Sequence, residues 1–536
     1  MTSALNQPHR VRVGIIPARE HAARARLFGA LEALHPVAFE PRAPGEHAGL
    51  DALIQIGAEA TDAGAGNGLP TLVAVGGERP GGAALRLDLA DSALLERPLR
   101  GARLHETAVP AVPPVTVEGA AVLAALGGAP AWIAAGGRHV VGAAPDELGP
   151  DELLRERLLP GRALALLALT HFVRALTAAR GWRPPPLRAA FVLDDPNLHW
   201  PTYGHLRYRE LLAHAALHRY HLAVAMVPLD AWLVHPGAAR LFREGSEHLS
   251  ILVHGNDHDG GELGRVHSDA DGVALASQAL RRIARFERRS SVRVARVMAP
   301  PHERVTEPAL RALGACGFEA VSTARPFPWV EASGPSWLIH PPGTDPLAAF
   351  TPAHTAPGGL PIVLRLDFGH PREDLVLRAY LGQPLVVYGH HDDLAGGLDV
   401  LADAAADVNR LGDVSWTALG EIARAGAETR ADGETLHVRP LARRITVDVP
   451  AGVRELRVVP GACVADDSVL RWGLRGRRPS SAPADVELAT PIEGPATVEL
   501  ELVRPAAPVP DATRPRLWPI ARRIATEGRD RLRAVI

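Results

Sequence analysis

Short apolar runs recur along most of the chain, and the spacing between them changes three times. Over residues 11 to about 145 the runs Val11–Ile16, Ala52–Ile56 and Pro70–Val75 alternate with alanine-rich stretches and glycine-rich loops. That alternation predicts a parallel α/β layer. From Pro145 to Arg180 the period becomes helical, with Leu153, Leu154, Leu158, Leu164, Leu166, Leu167, Leu169 and Val173 repeating every three to four positions. Trp182, Arg183 and the prolines at 184–186 end it, because consecutive prolines offer no backbone donors and favour an extended chain.

Beyond the prolines, strand-like runs alternate with amphipathic stretches. The runs are Ala189–Leu193, Leu222–Val227, Leu249–Val253, Val292–Met298, Phe318–Ser322, Trp337–Ile339, Ile362–Leu366 and Leu385–Tyr388, and the stretches include Leu206–Leu217, Ala274–Arg288 and Pro308–Cys316. Seven or eight repeats over about 230 residues predict a (β/α) barrel. From Thr435 to Val503 the pattern shortens to alternating runs such as Ile445–Val449, Glu455–Val459 and Thr497–Leu502, bounded by Gly and Pro, which predicts a small β-sandwich. The last stretch, Leu517–Ile536, is an arginine-rich helix with Ile520, Ile524 and Leu532 on one face, expected to dock on the protein ahead of anchoring on a membrane surface. The predicted organisation is an α/β domain at 1–145, a helical linker at 146–186, the barrel at 187–426, the sandwich at 430–510 and the terminal helix at 511–536.

Composition narrows the chemistry. The 536 residues, 47% hydrophobic and 22% charged, are an ordinary globular composition, but all 58 basic side chains are arginine and there is no lysine. Schiff-base nucleophiles, lysine-bound pyridoxal phosphate and phosphate-loop lysines are therefore excluded. A net charge of −2 gives no global field toward nucleic acid. The two cysteines, Cys316 and Cys463, form no metal or disulfide pattern, and no signal-peptide core or membrane-spanning run is seen, so a cytoplasmic location is expected. The loop Gly64–Gly68 lacks a complete phosphate-binding fingerprint and reads as a plain turn. The run Ala131–Ala144 is similar to an amidotransferase-type α/β domain; with no cysteine in the region, such a domain would be non-catalytic.

The candidate chemistry gathers in the barrel. Sixteen of the 24 histidines lie between His199 and His391. More telling is their position, since barrel enzymes draw reactive groups from the carboxyl ends of several strands. The first run ends in Asp194 and Asp195, the third in His254 and His258, the fourth leads to His302 and Glu303, and the last ends in His390 and His391. One carboxylate and two neutral imidazoles make a common ligand set for a divalent metal, and a second carboxylate beside the ligand could serve as a general base. The four-residue spacing of His254 and His258 would bring both rings to one side if the chain turned helically there.

These residues resemble the motifs of the polysaccharide deacetylase family, the NodB-homology domain, across about Leu187 to Gly426. The resemblance implies a distorted (β/α) barrel, flanked here by the N-terminal α/β domain and the β-sandwich, that removes N- or O-acetyl groups from an acetylated sugar or glycan. It implies Asp194 as the catalytic base, Asp195, His254 and His258 as ligands of a divalent metal, most simply Zn2+, and His390 or His391 as the general acid. The stretch Val414–Ile422 looks like the family's closing strand and helix. Two departures stand out: Asp-Asp is followed by Pro196 where the family has glycine, and Ala299 stands where the family has an arginine that holds the base, with Arg296 three residues earlier. His302, Glu303 or Arg304 would line that wall instead, and Trp200 and Tyr203 would offer sugar-stacking surfaces.

Two other readings fit the same residues. One is a hydrolase of a non-sugar amide on this barrel, with or without metal; the other is a carbohydrate-binding or assembly protein with a decayed site. Stoichiometric divalent metal in the purified protein separates the first from the deacetylase reading where the rival is metal-free. Retention of both aspartates and the histidines speaks against the second.

Overall fold

The computed structural model describes residues 10–57, 68–76, 78–110, 119–158, 161–331, 338–461, 463–464, 468–504, 510 and 517–534. The chain forms two compact units: Met1–Arg183 with Pro341–Thr351 and Arg372–Leu381, and Pro184–His340 with Pro352–Pro371 and Gly382–Ile536.

The first unit is built on a nine-stranded sheet. Five strands run parallel, in the order Val37–Pro41, Val11–Ile16, Ala52–Ile56, Thr71–Ala74 and Arg138–Val141. The other four, Ala129–Ala135, Ala121–Leu126, Glu78–Leu89 and Arg103–Pro110, continue it antiparallel. The expected parallel layer is thus half of a mixed sheet. The cause is local: Gly127–Gly128 and Gly136–Gly137 all take positive φ and close tight hairpins that only antiparallel strands can use. Residues 64–67 of the glycine-rich loop lie outside the described residues. The helical stretch resolves into Leu154–Leu158 and Ala163–Thr177, both within this unit.

The second unit contains a closed barrel of seven parallel strands: Arg188–Asp194, Leu222–Met226, Leu249–His254, Val294–Ala299, Ala320–Thr323, Leu360–Asp367 and Leu385–Gly389, the last pairing back to the first. Strand one is buried at every position, as a strand packed on both faces must be. Of the expected strand over Trp337–Ile339, Trp337 lies outside the described residues, and the described Leu338 and Ile339 are irregular. Pro341 and Pro342 follow directly and would deny a ladder its donors. The short strand Ser415–Trp416 pairs with strand one, and the helix Leu419–Arg424 follows it.

Two four-stranded sheets follow the barrel, Ala427–Asp432, Thr435–Pro440, Glu455–Val458 and Leu488–Pro491 in one, Arg444–Val449, Ala496–Val503, Val469–Leu474 and Ser480–Pro483 in the other. Alternate residues of both, among them Leu436, Val438, Ile445, Val447, Leu456 and Leu500, fill a common hydrophobic cluster. The C-terminal helix, Leu517–Arg533, docks as expected but by the opposite face: Arg523 and Asp530 are buried, whereas Ile524 and Leu532 are exposed. Among the described residues no helix is long and apolar enough to cross a membrane.

Candidate active site

Strand one delivers its two aspartates in different directions. Asp194 completes the extended strand, and Asp195 turns to φ +84, a conformation that a non-glycine residue holds only when its surroundings enforce it. The Asp195 N–H donates to the carbonyl of Ala225 at the end of strand two, 3.1 Å away, and fixes the turn.

Asp194 is buried and held by Arg365 of strand six, whose Nη1 and Nη2 donate to its two carboxylate oxygens at 2.9 and 2.8 Å. The guanidinium also donates to Glu303, with Nε 3.0 Å from Oε1, and lies 3.9 Å over the Tyr388 ring. Burial would raise the pKa of Asp194, but Arg365, with His254 adding, outweighs it and holds the carboxyl below its ordinary value. Arg365 was missed in the sequence reading. Its signal was a lone charge inside the apolar run Leu360–Leu366. Arg296, by contrast, turns away and pairs with Glu287 at 2.8 Å.

His254 ends strand three, and its Nδ1 lies 2.9 Å from the carbonyl oxygen of Ala299. A carbonyl can only accept, so Nδ1 donates and Nε2 is the ring nitrogen left for a ligand. His258 arrives by a route that the four-residue spacing did not foretell. The chain makes no helical turn; it winds around the buried carboxylate of Glu262, whose Oε1 accepts from the N–H groups of Asn256, Asp257 and His258 at 2.5, 3.0 and 3.0 Å. Gly255 and His258 take positive φ to allow this, at +63 and +52.

The result is a compact donor set. Ligand atoms of Asp195, His254 and His258 all lie within 4.8 Å of one another, with His258 Nε2 3.4 Å from Asp195 Oδ1. Burial and the neighbouring His254 push the His258 pKa down to about 3, so at neutral pH its ring is uncharged and able to ligate. Burial acts to raise Asp195, yet His254, His258 and Arg523 overcome it and keep the carboxylate ionised. One carboxylate oxygen with two imidazole nitrogens is a donor set that fits a divalent ion with open positions.

The remaining candidates are dispersed around this centre. His390, at the end of strand seven, is exposed and acts electrostatically on both Asp194 and Asp195. His391 is buried, edge-on to Tyr203 with centroids 5.5 Å apart, its Nε2 3.4 Å from Asp530; with His205 and Asp392 it forms a second cluster of potential ligands. The His302 ring lies 5.6 Å from that of His258. Glu303 stands behind Asp194 on Arg365 and accepts from the Ala324 N–H at 2.7 Å, while Arg304 is exposed. Trp200 is exposed; Tyr203 is fully buried and its hydroxyl donates to Asp530 at 3.0 Å.

The C-terminal helix contributes more to this centre than its sequence suggested. Arg523 donates to Asp195 Oδ1 at 3.1 Å and pairs with buried Asp230, Arg522 donates to the His258 carbonyl, and Glu527 pairs with His199 at 2.8 Å.

No protein-family model and no curated protein matches the chain. Among solved structures, part of the chain is similar to T48 deacetylase with substrate, at 8% identity, a TM-score of 0.24 and coverage of 42% of this chain and 90% of that one. A Mycobacterium smegmatis protein assigned as a polysaccharide deacetylase aligns at 17% identity and a TM-score of 0.29, over 45% and 90%. A Paenibacillus polymyxa xyloglucanase of glycoside hydrolase family 44 aligns at 9% identity and 0.13, over 55% and 69%. These likenesses are distant.

Proposed function

We propose that the second unit is a metal-dependent deacetylase of NodB type that hydrolyses N- or O-acetyl groups on a sugar or glycan, with the two C-terminal sheets forming a sandwich beside its barrel. The observation that carries this reading is the convergence of Asp195, His254 and His258 from two strand ends, with Asp194 set beside them on Arg365. Asp195, His254 and His258 would hold the divalent ion, zinc by its preference for this donor set; when bound it would supply a Lewis acid for the acyl carbonyl and acidify a water. Asp194 takes the proton of the attacking water, and Arg365 keeps that carboxylate ionised and aimed. His390 then gives a proton to the departing amine or alcohol; its exposure and its influence on both aspartates favour it over His391, which is enclosed against Tyr203 and Asp530. Trp200 offers an exposed ring at the rim for a sugar face.

The test is acetate release from a panel of acetylated sugars, with and without chelator, by the parent, Asp195→Ala and His254→Ala proteins. Release should depend on metal and fall by at least about a hundredfold in both variants. Activity that survives chelator and both substitutions rejects the reading.

A further inference from the structure

A docked helix ordinarily turns its apolar stripe inward. The C-terminal helix does the reverse. Its buried positions are Pro519, Arg523 and Asp530, while Leu517, Trp518, Ile524 and Leu532 are 61–84% exposed. Ala521, Ala525 and Gly528 share the outward side, and the only charges there are Arg529 and Arg533. Arg529 pairs with the buried Asp530, and Arg533 with the half-exposed Asp392, 3.2 Å away.

The loops under the helix extend the patch. Trp200 and Trp232 are each about half exposed and Leu233 is partly so. Seven of the twelve large apolar side chains exposed among the described residues therefore belong to this one face, so chance scatter is a poor explanation. Cations ring it. The Arg531 guanidinium lies 5.8 Å over Trp200; Arg285 shares a cavity of about 320 Å³ with Trp232, Ile520 and Ile524; and Arg289 donates to the Trp232 carbonyl at 2.6 Å.

We propose that this face seats the protein on an anionic lipid surface, the helix lying in the plane of the headgroups with its apolar side down and the arginines against lipid phosphates. Charge decides the occupant. Arg285, Arg289, Arg529, Arg531 and Arg533 outnumber the half-exposed Asp392 at this face, so a self-complementary contact with a second copy would set arginine largely against arginine, whereas negatively charged headgroups complement the rim and indole rings favour the membrane interface. The inference does not depend on the hydrolytic reading, because Trp518, Ile524 and Leu532, the side chains its test removes, lie outside the candidate catalytic centre; Trp200 is shared with the proposed sugar-binding rim.

The test is co-sedimentation of the full chain with phosphatidylcholine vesicles, with and without about 30% phosphatidylglycerol, at about 0.1 M and about 0.5 M salt. The parent should bind the anionic vesicles, release with salt and ignore the neutral ones. Trp518→Ser/Ile524→Ser/Leu532→Ser should bind at least about tenfold more weakly with an unchanged melting curve and unchanged acetate release. Absence of parent binding, equal binding by the variant, or a concentration-dependent parent dimer that the variant abolishes without any vesicle binding overturns the proposal, the last by assigning the face to a second copy.

Discussion

Replacing Arg365 by methionine probes how the two aspartates are held. The guanidinium is 1% exposed and bonds both oxygens of Asp194 and one of Glu303. Unit charges about 4 Å apart attract by about 4 kcal/mol at the effective dielectric of a partly relaxed interior. Methionine keeps most of the stem but leaves two carboxylates with no cation between them, and breaking a buried pair in this way costs about 3–5 kcal/mol. For a unit of this size that corresponds to a fall in Tm on the order of 10 °C. The pH dependence gives the sharper signature. In the parent, Asp194 has a folded pKa below its unfolded value, so its contribution is present above the ordinary carboxylate range and lost as pH falls through and below it. Without Arg365 the burial remains and the shift reverses, so protonation now relieves the folded state. Urea unfolding of parent and Arg365→Met at about pH 7 and about pH 4 should show a deficit that is large at the higher pH and shrinks at the lower. Adding Asp194→Asn to Arg365→Met should recover part of the loss. A deficit under about 1 kcal/mol, or one equal at both pH values, refutes the argument.

Glu262→Ala removes the acceptor shared by three backbone N–H groups; stability should fall by about 2–3 kcal/mol, and metal analysis of the purified protein should show less divalent ion, since the loop aims His258. Gly204→Ala should destabilise by about 1–3 kcal/mol in thermal melts, because the glycine sits at φ +51 and a Cβ there would lie 2.4 Å from His391 Nδ1. Burial pushes the His221 pKa down to about 4, against a partial rise from its bond to the Glu247 carbonyl. Its contribution is therefore complete above the unfolded value near pH 6.5 and is lost as pH falls from there toward 4, about 3 kcal/mol in all. His221→Gln should flatten that part of a stability-against-pH curve, and an unchanged slope would count against it.

The barrel and its candidate ligands were legible because both are written in local pattern. Each barrel strand is an apolar run, and Asp194, Asp195, His254, His258 and His390 follow such runs directly, so strand ends locate them before any three-dimensional information. Arg365 was hidden because its partner Asp194 is 171 residues away, on strand one, which comes near strand six because strand seven closes the barrel onto it. Glu262 was hidden for a different reason. A four-residue histidine spacing invites a helical turn, yet a buried carboxylate offering one oxygen to three successive amides stabilises a left-handed loop of equal reach. In both cases a charged side chain far from its partners in pattern, though not in space, sets the geometry.

The terminal helix shows why amphipathicity gives a stripe but not its direction. Burying an apolar stripe is the default because it returns hydrophobic free energy at no electrostatic cost. Here the opposite face carries a set of charges whose partners are already fixed: Arg523 meets Asp195 and Asp230, Glu527 meets His199, and Asp530 meets Tyr203 and His391. Turning the helix over to bury Ile524 and Leu532 would strip Asp230, which is 3% exposed, of its guanidinium. An uncompensated buried carboxylate costs more than two side chains of apolar burial return. The orientation is therefore set by the acidic groups of the barrel mouth, and the outward apolar stripe is the consequence that a membrane surface would use.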